Sequence, residues 1–168
     1  DRFGKVADGN TVMDYDAEEK RRHNSVASAA APVEWLNKKI NILDTPGLFD
    51  FATGLSEGVR AAETVLIVLA AGSGVDVGAE KAFKAAAARN LAKFIVVTRC
   101  DAENTDFYKT LAAAKEEWGT AVLPIVVPYK EGDKVVSYVN FLQGKAFAYN
   151  NGKATEVPMP ANDAVSEA

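Results

Sequence analysis

Ile40-Asn41-Ile42-Leu43-Asp44-Thr45-Pro46-Gly47 is the stretch that decides how this chain is read. An apolar run closes on Asp44, and Gly47 follows three residues later. If the run is a strand, the carboxylate sits at its carboxyl end. There it can hold a magnesium-bound water, because Mg²⁺ takes oxygen ligands and keeps several waters. A glycine just beyond it lets a backbone N–H approach a terminal phosphate with no Cβ in the way. Taken alone, Thr-Pro-Gly reads equally well as a turn after a strand. Its neighbours decide.

Upstream, residues 29–35 and 39–43 read as two strands joined at Leu36-Asn37-Lys38, a hairpin pattern. Downstream, 65–70 and 94–97 are continuous apolar runs rich in β-branched residues, which suit strands buried on both faces of a parallel sheet. Ala79, Ala82, Phe83, Ala86 and Ala87 recur at helical spacing. So do Phe107, Leu111, Ala114 and Trp118, with Asn104 or Thr105 as the cap and Gly119 as the stop. Residues 122–127 read as another strand, placed at an edge by Pro124. Strands alternating with helices predict an α/β fold with right-handed crossovers. From Tyr129 the pattern shifts to short strands at 134–140 and 146–149, with Asn150-Asn151-Gly152 as a hairpin turn. Residues 161–168 read as the opening of a helix. Residues 1–26 are polar and show little periodicity, as a solvated arm does.

The order of motifs is more specific than any one of them. Gly4-Lys5-Val6-Ala7-Asp8-Gly9-Asn10-Thr11-Val12-Met13-Asp14-Tyr15 leads to Arg21-Arg22-His23-Asn24-Ser25-Val26, and then to Asn41-Ile42-Leu43-Asp44-Thr45-Pro46-Gly47-Leu48-Phe49-Asp50-Phe51. Gly74-Val75-Asp76-Val77-Gly78, Thr98-Arg99-Cys100-Asp101 and Val157-Pro158-Met159-Pro160 follow. This series resembles the G domain of translational GTPases, most closely elongation factor G and its bacterial elongation factor G-like paralogues, over nearly the whole chain. The resemblance implies a mostly parallel P-loop GTPase-type sheet with flanking helices, plus a small α+β inserted subdomain. It places the G-domain core at 1–128, with the first switch at 1–26 and the second at 44–60, and the start of the inserted subdomain at 129–168. It implies GTP or GDP with Mg²⁺ as cofactors of the complete protein, the ribosome as its partner, and a cytoplasmic location.

Residue by residue, the resemblance gives Ser25 the place of a threonine whose hydroxyl ligates Mg²⁺. Asp44 takes the water-mediated Mg²⁺ role and Gly47 the γ-phosphate contact. Asp101 keeps the carboxylate that accepts from guanine N1–H and N2–H₂. Thr98 and Arg99 stand where the family has Asn and Lys in the same nucleotide-contacting loop. Two departures matter. Leu48 stands where active elongation factors have a histidine that orients the attacking water, and leucine offers neither donor nor acceptor. His23, the only histidine, is no evident substitute.

The second departure is that no Gly-x-x-x-x-Gly-Lys-[Ser/Thr] phosphate cradle occurs anywhere in the sequence. The glycine pairs Gly54/Gly58 and Gly72/Gly74 lack the Lys-Ser/Thr. The chain is therefore expected to be an internal piece of a larger protein that binds little or no nucleotide alone. The vacancy left by the P-loop strand is expected to be filled, by direct pairing of its two neighbours, by self-association through their edges, or by the segment that carries the P-loop. The arm 1–26 is expected to be loosely held. The alternative function is a degenerate GTPase-like module that binds the ribosome or a protein partner without turnover.

The bulk properties agree. The sequence has 168 residues, 48% of them hydrophobic, enough for one domain with a core. A net charge of −4 argues against a general nucleic-acid-binding surface. The single cysteine, Cys100, permits no internal disulfide. No apolar run is long enough to span a bilayer.

Overall fold

A computed structural model describes residues 4–48, 52–132, 134–150 and 152–161. The chain divides into two compact units, one of residues 1–67 with 77–94, the other of 68–76 with 95–168.

The arm is folded rather than loose. A single 3-10 turn at Val6–Asp8 ends on Gly9 in the left-handed region, φ 58°. A short helix, α1 (Ala17–Arg22), follows. Asp16 caps it and Glu19 reaches back to the Asp16 N–H, a reciprocal capping box that satisfies donors the first turn leaves open. Glu18 pairs with Arg21 and Arg22 on the solvent side, which holds its carboxyl down at about 2.

Next come β1 (Ala29–Trp35) and β2 (Lys38–Asp44), an antiparallel pair in register from Ala29 opposite Asp44 to Trp35 opposite Lys38. The turn is the two residues Leu36 and Asn37, both at positive φ (47° and 58°), the geometry that matches strand twist in tight hairpins.

Helix α2 (Ala52–Ala61) then packs on the turn after β2 through Gly54 and Gly58, one helical turn apart. A Cβ on Gly54 would lie 2.7 Å from Ser28 Oγ and 2.8 Å from Pro46 Cδ, and one on Gly58 would lie 2.6 Å from Thr45 Cγ2. The Gly54/Gly58 pair therefore belongs to helix packing.

Strand β3 (Thr64–Ala70), helix α3 (Val77–Ala88) and strand β4 (Ala92–Thr98) follow, with β3 and β4 forming a two-stranded sheet. The glycines between β3 and α3, Gly72 and Gly74, both take positive φ (97° and 68°) in a turn that only Gly adopts freely. The expected burial of these strands on both faces is corrected here. Ile67 and Leu69 are 2% exposed, whereas Leu66 and Val68 are about 60% exposed (61% and 59%), and Phe94 and Val96 are also open. The two strands alternate because only one of their faces is covered by described residues.

Of the three expected routes to filling the vacancy, direct pairing of its two neighbours is not met. Among the described residues β2 pairs only with β1 and β3 only with β4, so the strands expected to flank the P-loop strand lie in separate sheets.

In the second unit, helix α4 (Phe107–Trp118) is capped by Asp106, whose carboxylate accepts from the N–H groups of Tyr108 and Lys109. Asp106 displaces the expected Asn104 or Thr105; Asn104 instead makes a left-handed turn, φ 58°. Gly119 ends the helix as expected. The strand expected at 122–127 starts only at Val126, after Pro124: β5 (Val126–Glu131) runs on past residue 128 and pairs with β6 (Lys134–Asn140). β7 (Lys145–Asn150) and β8 (Lys153–Val157) complete an antiparallel four-stranded sheet in the order β5-β6-β7-β8. Phe107 and Leu111 of α4 pack with Val127, Val139 and Ala146 of this sheet to form the core of the unit. The helix expected from 161 lies outside the described residues apart from residue 161.

Candidate functional site

The hairpin brings the first half of the site together. With Ala29 opposite Asp44, the chain entering β1 and the chain leaving β2 meet at one end of the ribbon. Ser25 lies just before that entry. Its hydroxyl donates to Asp14 Oδ1 at 2.7 Å, and the Thr11 hydroxyl donates to Asp14 Oδ2 at 3.1 Å. Asp44 is partly buried there, and its carboxyl is pushed above the usual range by burial, then by the charges of Asp14 and Glu19. Asp14 is thus the common neighbour of the two residues expected at the metal, bonded to Ser25 and felt electrostatically by Asp44. Sequence reasoning missed this carboxylate and that of Glu19.

Glu19 is the deeper of these, at 2% exposure. Its Oε1 accepts from the N–H groups of Val26 (3.0 Å) and Ala27 (3.1 Å), and its Oε2 from that of Asp16 (3.1 Å). These bonds, led by the one from Val26, hold its pKa below the ordinary value against the opposing effect of burial. The signal for Glu19 was present in the Asp16-x-x-Glu19 spacing of a capping box. Nothing in the sequence announced Asp14 beyond its place in the motif.

Gly47 is exposed, and a Cβ added there would meet nothing within 4 Å. Packing inside the chain gives no reason for glycine at this position. Leu48 is 45% exposed. His23 caps the C-terminus of α1 at φ 54°, with its Nδ1 2.8 Å from the Val6 carbonyl oxygen. A carbonyl only accepts, so Nδ1 carries the proton and is engaged. Phe49, Asp50 and Phe51, part of the same motif, lie outside the described residues.

The other predicted residues fall in the second unit, at the end of β4. Thr98 Oγ1 donates to the Leu69 carbonyl at 3.2 Å, and the Thr98 carbonyl accepts from the Ala71 N–H at 2.8 Å. Thr98, at the place the resemblance gives to Asn, thereby braces this loop with a hydroxyl. Arg99 sits at φ 59°, left-handed, and turns the chain out of the strand. The Ala102 N–H donates to the Arg99 carbonyl at 3.2 Å, and the Cys100 thiol, raised in pKa chiefly by burial, lies over the Val97 carbonyl. Asp101 is exposed, and its side chain makes no hydrogen bond to a described residue. Lys130 steadies the far side of the loop by donating to the Thr105 carbonyl at 2.9 Å.

Among the described residues no group of three or more His, Cys, Asp and Glu side chains is arranged to hold a metal alone. A hydroxyl and a carboxylate, Ser25 and Asp44, nevertheless suit Mg²⁺, which completes its shell with water and phosphate. No described helix is long and apolar enough to cross a membrane.

A strand ending in Asp, a glycine turn beyond it, and a second loop with an exposed Asp after β4 are arranged in the order expected of a nucleotide-switch domain. Residues 1–161 match the family model described as the elongation factor Tu GTP binding domain, and the chain belongs to that family. It is similar to the elongation factor G-like protein of Mycobacterium tuberculosis, 33% identical over 92% of this chain and 21% of that protein. It is similar also to elongation factor G of Granulibacter bethesdensis, 30% identical over 95% of this chain and 24% of that protein. A crystal structure of a Thermus thermophilus protein superposes with a TM-score of 0.89 at 33% identity, covering 96% of this chain and 24% of that one. The chain thus spans about a quarter of the length of these relatives. The α/β GTPase-type fold and the translational GTPase G domain expected from the sequence are both met.

Proposed function

We propose that the chain carries the two switches and the base-recognising loop of an elongation factor G-like GTPase that works on the ribosome. The observation that carries this reading is the end of the hairpin, where the Ser25 hydroxyl donates to Asp14 and Asp14 in turn acts electrostatically on the partly buried Asp44. Ser25 and Asp44 are the residues that would hold Mg²⁺, directly and through water. Bound Mg²⁺ would neutralise phosphate charge. Gly47, with open space on its Cβ side, would offer its N–H to the terminal phosphate. Asp101, exposed and unengaged, would accept from guanine, and Arg99 would lie along the base. The switches would then be ordered by nucleotide and released after hydrolysis. The test is a titration with a fluorescent GTP analogue with and without Mg²⁺. Asp101→Asn must shift preference from guanosine toward xanthosine triphosphate, and an unchanged preference refutes the base-recognition role.

One observation favours a second reading, a module that binds without turnover. Leu48 stands at the water-orienting position, and His23 is tied to the Val6 carbonyl. Slow hydrolysis follows. Leu48→His must raise phosphate release severalfold on ribosomes if the loss of that side chain is what limits the rate.

A further inference from the structure

Asp14 and Glu19 have no part in the roles assigned above, yet every described bond that fixes Ser25 and the residues after it ends on one of them. We propose that Asp14 and Glu19 are positioning residues for Ser25: Asp14 fixes its hydroxyl and Glu19 the backbone that follows, so that the Ser25 oxygen stands ready as a ligand before nucleotide and metal arrive. The inference rests on the reading of Ser25 as a metal ligand.

The chemistry of the hydroxyl supports it. Serine has one proton to donate and two lone pairs. With the proton committed to Asp14 Oδ1, both lone pairs remain for a cation, and the hydroxyl no longer rotates freely. Thr11, donating to the other Asp14 oxygen, keeps that carboxylate from turning away. A carboxylate behind a ligand both orients it and raises its basicity, as partners of metal ligands commonly do.

The backbone is held by a separate device. Capping α1 requires only the bond from the Asp16 N–H to Glu19 Oε2. The bonds from Val26 and Ala27 to Oε1 add nothing to the helix. What they add is a tie between the start of α1 and the chain directly after Ser25. Because Glu19 is almost wholly buried, water competes poorly for these bonds. A side chain that only capped a helix would not need to be the deepest carboxylate in the region, nor to spend one oxygen on amides beyond the helix.

The first measurement is amide hydrogen exchange in the nucleotide-free protein. Glu19→Ala removes both acceptor oxygens and so all three bonds, and Glu19→Gln keeps one oxygen and loses the other. Protection at Val26 and Ala27 is expected to fall by at least about tenfold in Glu19→Ala and by less in Glu19→Gln, given the strength of hydrogen bonds to a charged group. Unchanged protection in both overturns the role of Glu19. The second measurement is the Mg²⁺ concentration that half-saturates binding of a fluorescent GTP analogue. Ser25→Ala and Asp14→Asn are each expected to raise it, by about tenfold or more for a ligand partner. The double variant is expected to be no worse than Ser25→Ala alone. Additive effects overturn the role of Asp14. These nucleotide measurements are made on the complete protein that carries the phosphate cradle; if Ser25→Ala leaves its Mg²⁺ requirement unchanged, the ligand reading falls and the purpose proposed for the two carboxylates falls with it. The exchange data still report whether Glu19 positions the backbone, so the two failures are told apart.

Discussion

Ser25 reaches its place through two side-chain carboxylates, Asp14 on its hydroxyl and Glu19 on the amides that follow it. Thr98 and Arg99 reach theirs through the strands themselves: a hydroxyl on the Leu69 carbonyl, a backbone bond from Ala71, and a left-handed residue that ends β4. The first arrangement depends on ionised groups and on a short helix that has few other contacts to hold it. The second is a continuation of a sheet. A switch needs a segment that can be released, and a base-reading loop needs one that stays put. The difference in fastening follows that division.

The largest test of this contrast is Glu19→Ala. Three N–H groups lose a charged acceptor, which costs on the order of 3 kcal/mol or more against arm closure. Trypsin should cut after Arg21 and Arg22 much faster than in the unaltered protein, while cleavage after Arg99 stays as it was. Equal acceleration at both places would show that the arm and the loop are fastened alike.

Acid should do the same by protonation. The pKa of Glu19 is held below its ordinary value in the folded arm. Its contribution is therefore complete above the ordinary glutamate pKa of about 4.3 and is lost as pH falls through the depressed folded value. Amide exchange at Val26 should quicken in that acid range and not between pH 6 and 8. Loss of protection at neutral pH would mean that some other group holds the arm.

Gly58→Ala probes the turn after β2. A Cβ 2.6 Å from Thr45 Cγ2 must displace side chain or helix. Overpacking of that kind costs about 1–3 kcal/mol, offset by about 1 kcal/mol of gained helix propensity. A net fall in thermal stability is expected, and a rise would show that the helix has room to move.

Thr98→Val removes one hydroxyl bond and should cost about 1 kcal/mol by denaturant unfolding, with arm protection unchanged. Gly47→Ala should have the smallest effect, within about 0.5 kcal/mol, because its Cβ meets nothing. A large loss of stability there would mean that glycine is needed by the fold, and would remove one support for a phosphate contact.

Much of this was legible beforehand where local chemistry decides the outcome. The β1–β2 hairpin and the helix ending at Gly119 followed from spacing alone. The hairpin that puts Ala29 opposite Asp44 also carries the chain from Ser25 toward the same end of the ribbon. The rest depended on competition between neighbours. Asp106 out-competes Asn104 and Thr105 as the cap because its carboxylate reaches two amides at once. The strand begins only at Val126 because Pro124 withholds a donor, although the Ile125 carbonyl still accepts from the Phe141 N–H at 2.9 Å. The exposed sides of β3 and β4 were illegible in principle, since an apolar run records what a strand can bury and not what lies against it. The Asp16-Glu19 pattern, by contrast, was plain in the sequence, but a charge run around it masked a helix of six residues.

The two glycines of α2 carry one more implication. Gly54 and Gly58 bring the helix backbone into direct touch with the side chains of Ser28, Pro46 and Thr45, with no helix side chain between them. Side chains are the shock absorbers of a protein interior, and the helix contributes none here. A displacement of the rigid Pro46 ring by a fraction of an ångström finds no rotamer on the helix to take it up; it is handed on to the helix backbone. Turn and helix thus behave mechanically as one part, a rigid follower resting on a cam.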